Sequence, residues 1–239
     1  MNKNKKVVIV GGGHAGGNLI ASLRQAGFSG SITLVSDEDA LPYHRPPLSK
    51  SWLKETTAIN RLHLKPPNFY DEKLVDVVLG TKVDKIDTIA KKVFLESGAE
   101  VEYDYLVLAT GARARSITLS GGEFENILYL RNLADAENLK SQLSGAKHLA
   151  VIGGGYIGLE VAASARQLGL KVSVIERESR LLARVASRRR PCLIFISNIT
   201  RHKVSMSCFG KTLPSLTGGT DDCSPCCLKV ARSAPLMWH

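Results

Sequence analysis

Apolar residues fall along this chain in two similar series. The first opens with the continuous run Val7-Val-Ile-Val10, which reads as a buried strand, and a helix-like stretch follows over residues 15–25. A strand over 31–35 comes next, then a long connection through Leu41-Pro-Tyr-His-Arg-Pro-Pro-Leu-Ser-Lys50. Short strand-like runs at 75–79, 82–86 and 92–95 are separated by turn residues, and 103–109 is again a buried-strand pattern. The second series begins near Ala114: an amphipathic helix around 134–143, an apolar run at 149–152, a helix over 156–168 and a strand over 171–176. Each series contains the start of a β-α-β unit.

The joint between strand and helix is the same in both series and rich in glycine: Gly11-Gly-Gly-His-Ala-Gly16 and Gly153-Gly-Gly-Tyr-Ile-Gly158. One such G-x-G-x-x-G pattern is weak, since it often marks only a tight turn. Two in a strand-turn-helix context imply two bound dinucleotides. The first glycine makes the turn, the second lets backbone approach a pyrophosphate, and the third lets helix and strand pack closely. The helix start then offers unpaired N–H groups to the anion. An acid at the end of the following strand can accept from ribose hydroxyls: Asp37 or Glu38 in the first series, Glu176 in the second. The fold class expected is α/β, with two Rossmann-like dinucleotide-binding domains, both incomplete. Their boundaries are expected at residues 1–113 and 114–187, with an irregular tail over 188–239.

Charge and cysteine content change the picture only after Ser187. The net charge of +10 hints at nucleic acid or an acidic partner, but residues 188–239 hold eight Lys/Arg against two Asp/Glu. The body is left with 24 against 20. All five cysteines (Cys192, Cys208, Cys223, Cys226, Cys227) also lie in the tail, so the body has neither a structural disulfide nor a redox dithiol. No stretch approaches the roughly 18 apolar residues of a membrane span. The expectation is no membrane, no nucleic acid, no metal and a cytoplasmic location.

Leu106-Val-Leu-Ala-Thr-Gly111, the two fingerprints, Leu41-Pro-Tyr-His-Arg-Pro-Pro-Leu-Ser-Lys50 and Tyr129-Leu-Arg131 together carry a resemblance. From about residue 6 to 185 the chain resembles the FAD-dependent pyridine nucleotide reductases that serve ferredoxins and rubredoxins. The resemblance implies FAD at the first fingerprint, with Gly11, Gly13, His14, Ala15 and Gly16 at the pyrophosphate turn and Asp37 or Glu38 at the ribose. It further implies adenine contact at Val83, close backbone at Ala109, Thr110 and Gly111, and phosphate or flavin contacts from Arg45, Lys50 and Arg131. At the second fingerprint it implies a pyridine nucleotide held by Gly153, Gly155, Tyr156, Ile157, Gly158 and Glu176, with Arg177 and Arg184 nearby. Glu176 favours NADH over NADPH because a carboxylate repels a 2′-phosphate, while Arg177 beside it could accommodate one. Lys50 and Glu160 are implied as an ion pair beside flavin and nicotinamide. Where related disulfide reductases place a C-x4-C, this chain has Pro46-Pro-Leu-Ser-Lys50. The reaction implied is hydride transfer from NADH to FAD, then two single-electron transfers to a ferredoxin- or rubredoxin-type iron-sulfur protein.

The tail departs from that family pattern. Residues 188–239 sustain a period of neither 2 nor 3.6, and a frameshift near codons 185–190 is the expected origin of a truncated chain. Cys223-x-x-Cys226 gives only two metal ligands, and His202 and Cys208 complete no standard zinc spacing. Because the FAD domain of such reductases is discontinuous, the expectation is poor stability, weak FAD retention and little turnover. The alternative function is a catalytically inactive nucleotide-binding or partner-binding fragment.

Overall fold

The computed structural model describes residues 4–56, 58–118, 122–178, 180–182, 204–208 and 227–231. In chain order its elements are β1 (Lys6–Val10), α1 (His14–Gln25), β2 (Ser31–Val35), a 3-10 turn (Pro46–Ser49), α2 (Ser51–Lys54), a second 3-10 turn (Ile59–Arg61) and α3 (Asn68–Glu72). There follow β3 (Val75–Val78), β4 (Val83–Asp87), β5 (Lys92–Leu95), β6 (Glu100–Glu102), β7 (Tyr105–Leu108) and β8 (Ile127–Tyr129). The rest are α4 (Leu133–Gly145), β9 (His148–Ile152), α5 (Tyr156–Gln167), β10 (Lys171–Glu176), β11 (Val204–Cys208) and β12 (Cys227–Ala231).

The chain divides into two compact units, each built on a parallel sheet, in agreement with the α/β class expected. Residues 1–44 and 58–112 form the first. Its sheet has the order β3-β2-β1-β7, all parallel, with Val7 opposite Ile32 on one side and Tyr105 on the other. Alternate residues of β1 serve two cores, as the two-residue period of a strand requires. Val7 and Ile9 pack with Ile20 of α1 and Tyr70 of α3, while Val8 and Val10 pack with Val93 and Leu95 of the antiparallel sheet β4-β5-β6. Burial on both faces explains why β1 is apolar throughout.

Residues 45–57 and 113–239 form the second unit, a five-stranded parallel sheet of order β11-β10-β9-β12-β8. Leu149 and Val151 of β9 and Val172 and Val174 of β10 are fully buried, and α5 covers them with the small residues Val161, Ala162 and Ala165. A capping box opens α4. The Asn132 side chain accepts from the Asp135 N–H, and the Asp135 carboxylate accepts from the Asn132 N–H.

Two features differ from the sequence expectation. Residues 45–57, expected within a continuous 1–113 block, group with the second unit, because the 3-10 turn and α2 pack on α4 and α5. In the tail, expected to be irregular, β11 pairs with β10 and β12 lies between β9 and β8. A strand flanked on both sides in a parallel sheet needs no alternation, so its pattern carries little signal. Arg184, Cys192, His202, Cys223, Cys226 and the boundary at Ser187 lie outside the described residues.

Candidate nucleotide sites

In the first unit, Gly11 sits directly after β1 with a positive φ of 120°, a backbone conformation that favours glycine. A methyl group there would stand 2.2 Å from the Ala109 carbonyl oxygen, so the turn lies against the segment after β7 that carries Thr110 and Gly111. At Gly16 a methyl would stand 2.1 Å from the Gly11 carbonyl oxygen. The third glycine thus seats α1 directly on the turn. Gly13 caps α1 without any side-chain hydrogen bond, which leaves first-turn N–H groups for an anion. A bare backbone cradle ending in a positive helix pole fits a pyrophosphate. His14, the first residue of α1, meets His44 edge-to-face at 5.3 Å.

The two candidate acids after β2 differ in their surroundings. Glu38 accepts a hydrogen bond from the Tyr43 hydroxyl at 2.5 Å, whereas Asp37 is exposed. Buried Ser36 fixes this corner: its hydroxyl accepts from the Glu38 N–H, and its carbonyl accepts from the Thr81 N–H two residues before Val83.

The second unit repeats the construction. Gly153 follows β9 with a φ of 106°, and a methyl on Gly158 would stand 2.2 Å from the Gly153 carbonyl oxygen. Gly155 caps α5, again with no side-chain partner. Tyr156 and Ile157 stand exposed on the first turn of that helix. Glu176 at the end of β10 reaches back to the turn: Oε2 accepts from the Gly154 N–H at 2.7 Å and Oε1 from the Glu178 N–H at 3.0 Å. Arg177 is 71% exposed and contacts Glu178 at 3.3 Å. The following segment folds over the turn, with the Leu182 N–H donating to the Gly154 carbonyl.

Lys50 and Glu160 meet in this same unit, Nζ to Oε2 at 2.8 Å, and Lys50 also donates to the Pro46 carbonyl. The pair joins the end of the 3-10 turn to the first half of α5. Arg45 and Arg131 are likewise brought together, Arg45 Nη1 donating to the Arg131 carbonyl at 2.8 Å.

A model of the pyridine nucleotide-disulphide oxidoreductases matches residues 5–194. The chain belongs to that family. Among its curated relatives are rhodocoxin reductase of Rhodococcus erythropolis and rubredoxin-NAD(+) reductase of Pseudomonas putida. Each is 45% identical over 181 residues, 76% of this chain, and those residues are 42% and 47% of the respective relatives. The chain therefore spans about half the length of the curated relatives it matches. Among solved structures, putidaredoxin reductase in its covalent complex with putidaredoxin aligns with a TM-score of 0.85 and 36% identity, over 96% of this chain and 58% of that one. A ferredoxin reductase from Rhodopseudomonas palustris aligns with a TM-score of 0.87 and 37% identity, over 95% and 58%. The resemblance drawn from the sequence motifs holds.

The oxidoreductase fold brings together most of the residues expected at each nucleotide. In the first unit Gly11 lies against Ala109 and Thr110, Gly16 against Gly11, and Gly12 against Ser36, the residue before Asp37 and Glu38; in the second Gly158 lies against Gly153, and Gly154 against Glu176. Sequence reasoning missed two serines. Ser49 and Ser164, only 5% and 4% exposed, belong to the Lys50–Glu160 cluster. Ser164 stands four residues after Glu160 among small apolar residues, a spacing that puts both on one helix face and could have flagged it. Among the described residues no helix is long and apolar enough to cross a membrane, and no group of three or more His, Cys, Asp or Glu is placed to hold a metal.

Proposed function

We propose that this chain carries the nucleotide-binding machinery of an NADH-dependent, FAD-containing ferredoxin or rubredoxin reductase. The first glycine turn holds the FAD pyrophosphate, with Asp37 accepting from the ribose because Glu38 already binds Tyr43. The second turn holds NADH. When bound, FAD supplies the chemistry that accepts a hydride from NADH and releases electrons singly to an iron-sulfur protein.

The single observation that carries this reading is the Lys50–Glu160 ion pair at 2.8 Å, formed in the same compact unit as the second turn. An ammonium and a carboxylate held together give a nicotinamide a fixed donor and a fixed acceptor. Lys50 is about half exposed, so its role lies in orientation and local charge rather than in stability. Glu176 supports NADH over NADPH: both its oxygens are tied to backbone N–H groups, and a 2′-phosphate would have to meet that anchored charge. Val83 is assigned to FAD, and Tyr156, Ile157 and Arg177 to the NADH side. An iron-sulfur partner and a cytoplasmic location go with this reading.

Anaerobic addition of NADH to the FAD-loaded chain tests it. Slow bleaching of the flavin's visible band, with slow reduction of added rubredoxin, is the result expected of a chain that spans about half the length of its curated relatives. Bound FAD and NADH with an unchanged band would contradict the reductase reading and leave a nucleotide-binding chain without electron transfer.

A further inference from the structure

The Lys50–Glu160 pair has a buried neighbour that the nucleotide assignment leaves without a role. Ser49 Oγ donates to Glu160 Oε2 at 2.6 Å, the same oxygen that receives the Lys50 ammonium at 2.8 Å. The serine has one hydroxyl proton, and its other acceptor within reach, the Pro46 carbonyl, is much farther at 3.4 Å. Ser49 is itself held in place: its carbonyl accepts from the buried Ser164 hydroxyl at 2.9 Å. Glu160 and Ser164 are one helical turn apart on α5, so Ser49 is gripped by the helix at two points four residues apart.

A glutamate carboxylate turns easily about its last torsion. An ion pair to a half-exposed lysine does not fix that torsion, because solvent competes for both charges. A buried hydroxyl does, since the bond is charge-assisted and water is excluded from its donor. With both donors on Oε2, Oε1 remains an acceptor for a ligand.

Resting on the assignment of NADH to the second turn, we propose that Ser49 is a positioning residue for Glu160. Its hydroxyl shares one carboxylate oxygen with the Lys50 ammonium, which fixes the plane of the carboxylate and so keeps the pair formed and the second oxygen available before NADH arrives.

The test uses the full chain as wild type, Ser49→Ala, Ser49→Thr, Glu160→Gln and the Ser49→Ala/Glu160→Gln double variant. The first readout is acylation of the Lys50 amine by acetic anhydride, followed by peptide mass spectrometry, with melting temperature as the check on folding. It does not depend on any nucleotide. Ser49→Ala is expected to raise Lys50 labelling about threefold, Ser49→Thr to restore the wild-type rate by keeping the hydroxyl, and the double variant to match Glu160→Gln. Equal labelling in wild type and Ser49→Ala, or additive effects in the double variant, would overturn the positioning role. A purely structural serine would lower the melting temperature without this dependence on Glu160. The second readout is NADH fluorescence on binding, where Ser49→Ala is expected to weaken affinity about tenfold. Wild-type binding unchanged by Ser49→Ala would overturn the proposal while keeping the nucleotide site. No binding by wild type would overturn the nucleotide assignment and, with it, the purpose of the clasp, even if labelling still reports a Ser49–Glu160 coupling.

Discussion

One methyl group tests the second glycine turn. In Gly158→Ala the added carbon would stand 2.2 Å from the Gly153 carbonyl oxygen, a distance that forces α5 away from the turn. Overpacking of this kind costs about 1–3 kcal/mol. The melting temperature is expected to fall and NADH affinity to drop at least about tenfold, as read by calorimetry; an unchanged affinity would separate the turn from the nucleotide. Glu176 belongs to the same scale. Replacing it with Ala removes the acceptor for the Gly154 N–H and for ribose, and also removes the charge that opposes a 2′-phosphate. NADH affinity should fall about tenfold, the worth of a charge-assisted hydrogen bond, and NADPH affinity should rise. Paired titrations with the two nucleotides check the prediction. These residues were legible in the sequence because glycine spacing and a strand-end acid are tied to one chemical task. Ser49 and Ser164 were not, because a buried serine's role depends on which helix it meets.

Two elements depend on one carboxylate. Asp104 closes the start of β1 onto the start of β7: its oxygens accept from Lys5 Nζ at 2.7 Å and from the Lys6 N–H at 2.8 Å, while its own N–H donates to the Lys6 carbonyl. The Lys5 hydrogen bond, and then the Lys6 backbone bond, hold the Asp104 carboxyl below its ordinary range. A depressed folded-state value means that this contribution is complete above the unfolded value of about 3.9 and is lost as pH falls through the folded one. Stability should therefore decline below about pH 4, and the decline should be shallower in Asp104→Asn. Denaturant melts at pH 3 to 7 measure this, and parallel curves for the two proteins would refute it. At this scale β1 was readable from its continuous apolar run, and β2 and β10 from apolar residues interrupted only by Thr33 and Ser173. The three-residue strands β6 and β8 are too short to show a period. The Pro46–Ser49 turn and α2 owe their order to packing on α4 and α5, which Pro46 and Pro47 hide from any local pattern.

At the scale of the whole molecule, two compact units carry one glycine turn each, and each turn has its own uncapped helix and its own strand-end acid. Duplication of the turn argues for two separate nucleotides, not one ligand with two contacts. The most direct measurement is a calorimetric titration of the flavin-free chain with NADH, repeated in saturating FAD. One NADH per chain is expected, with the same affinity in both titrations. Displacement of NADH by FAD, or only one nucleotide bound per chain in total, would contradict the assignment of one nucleotide to each unit.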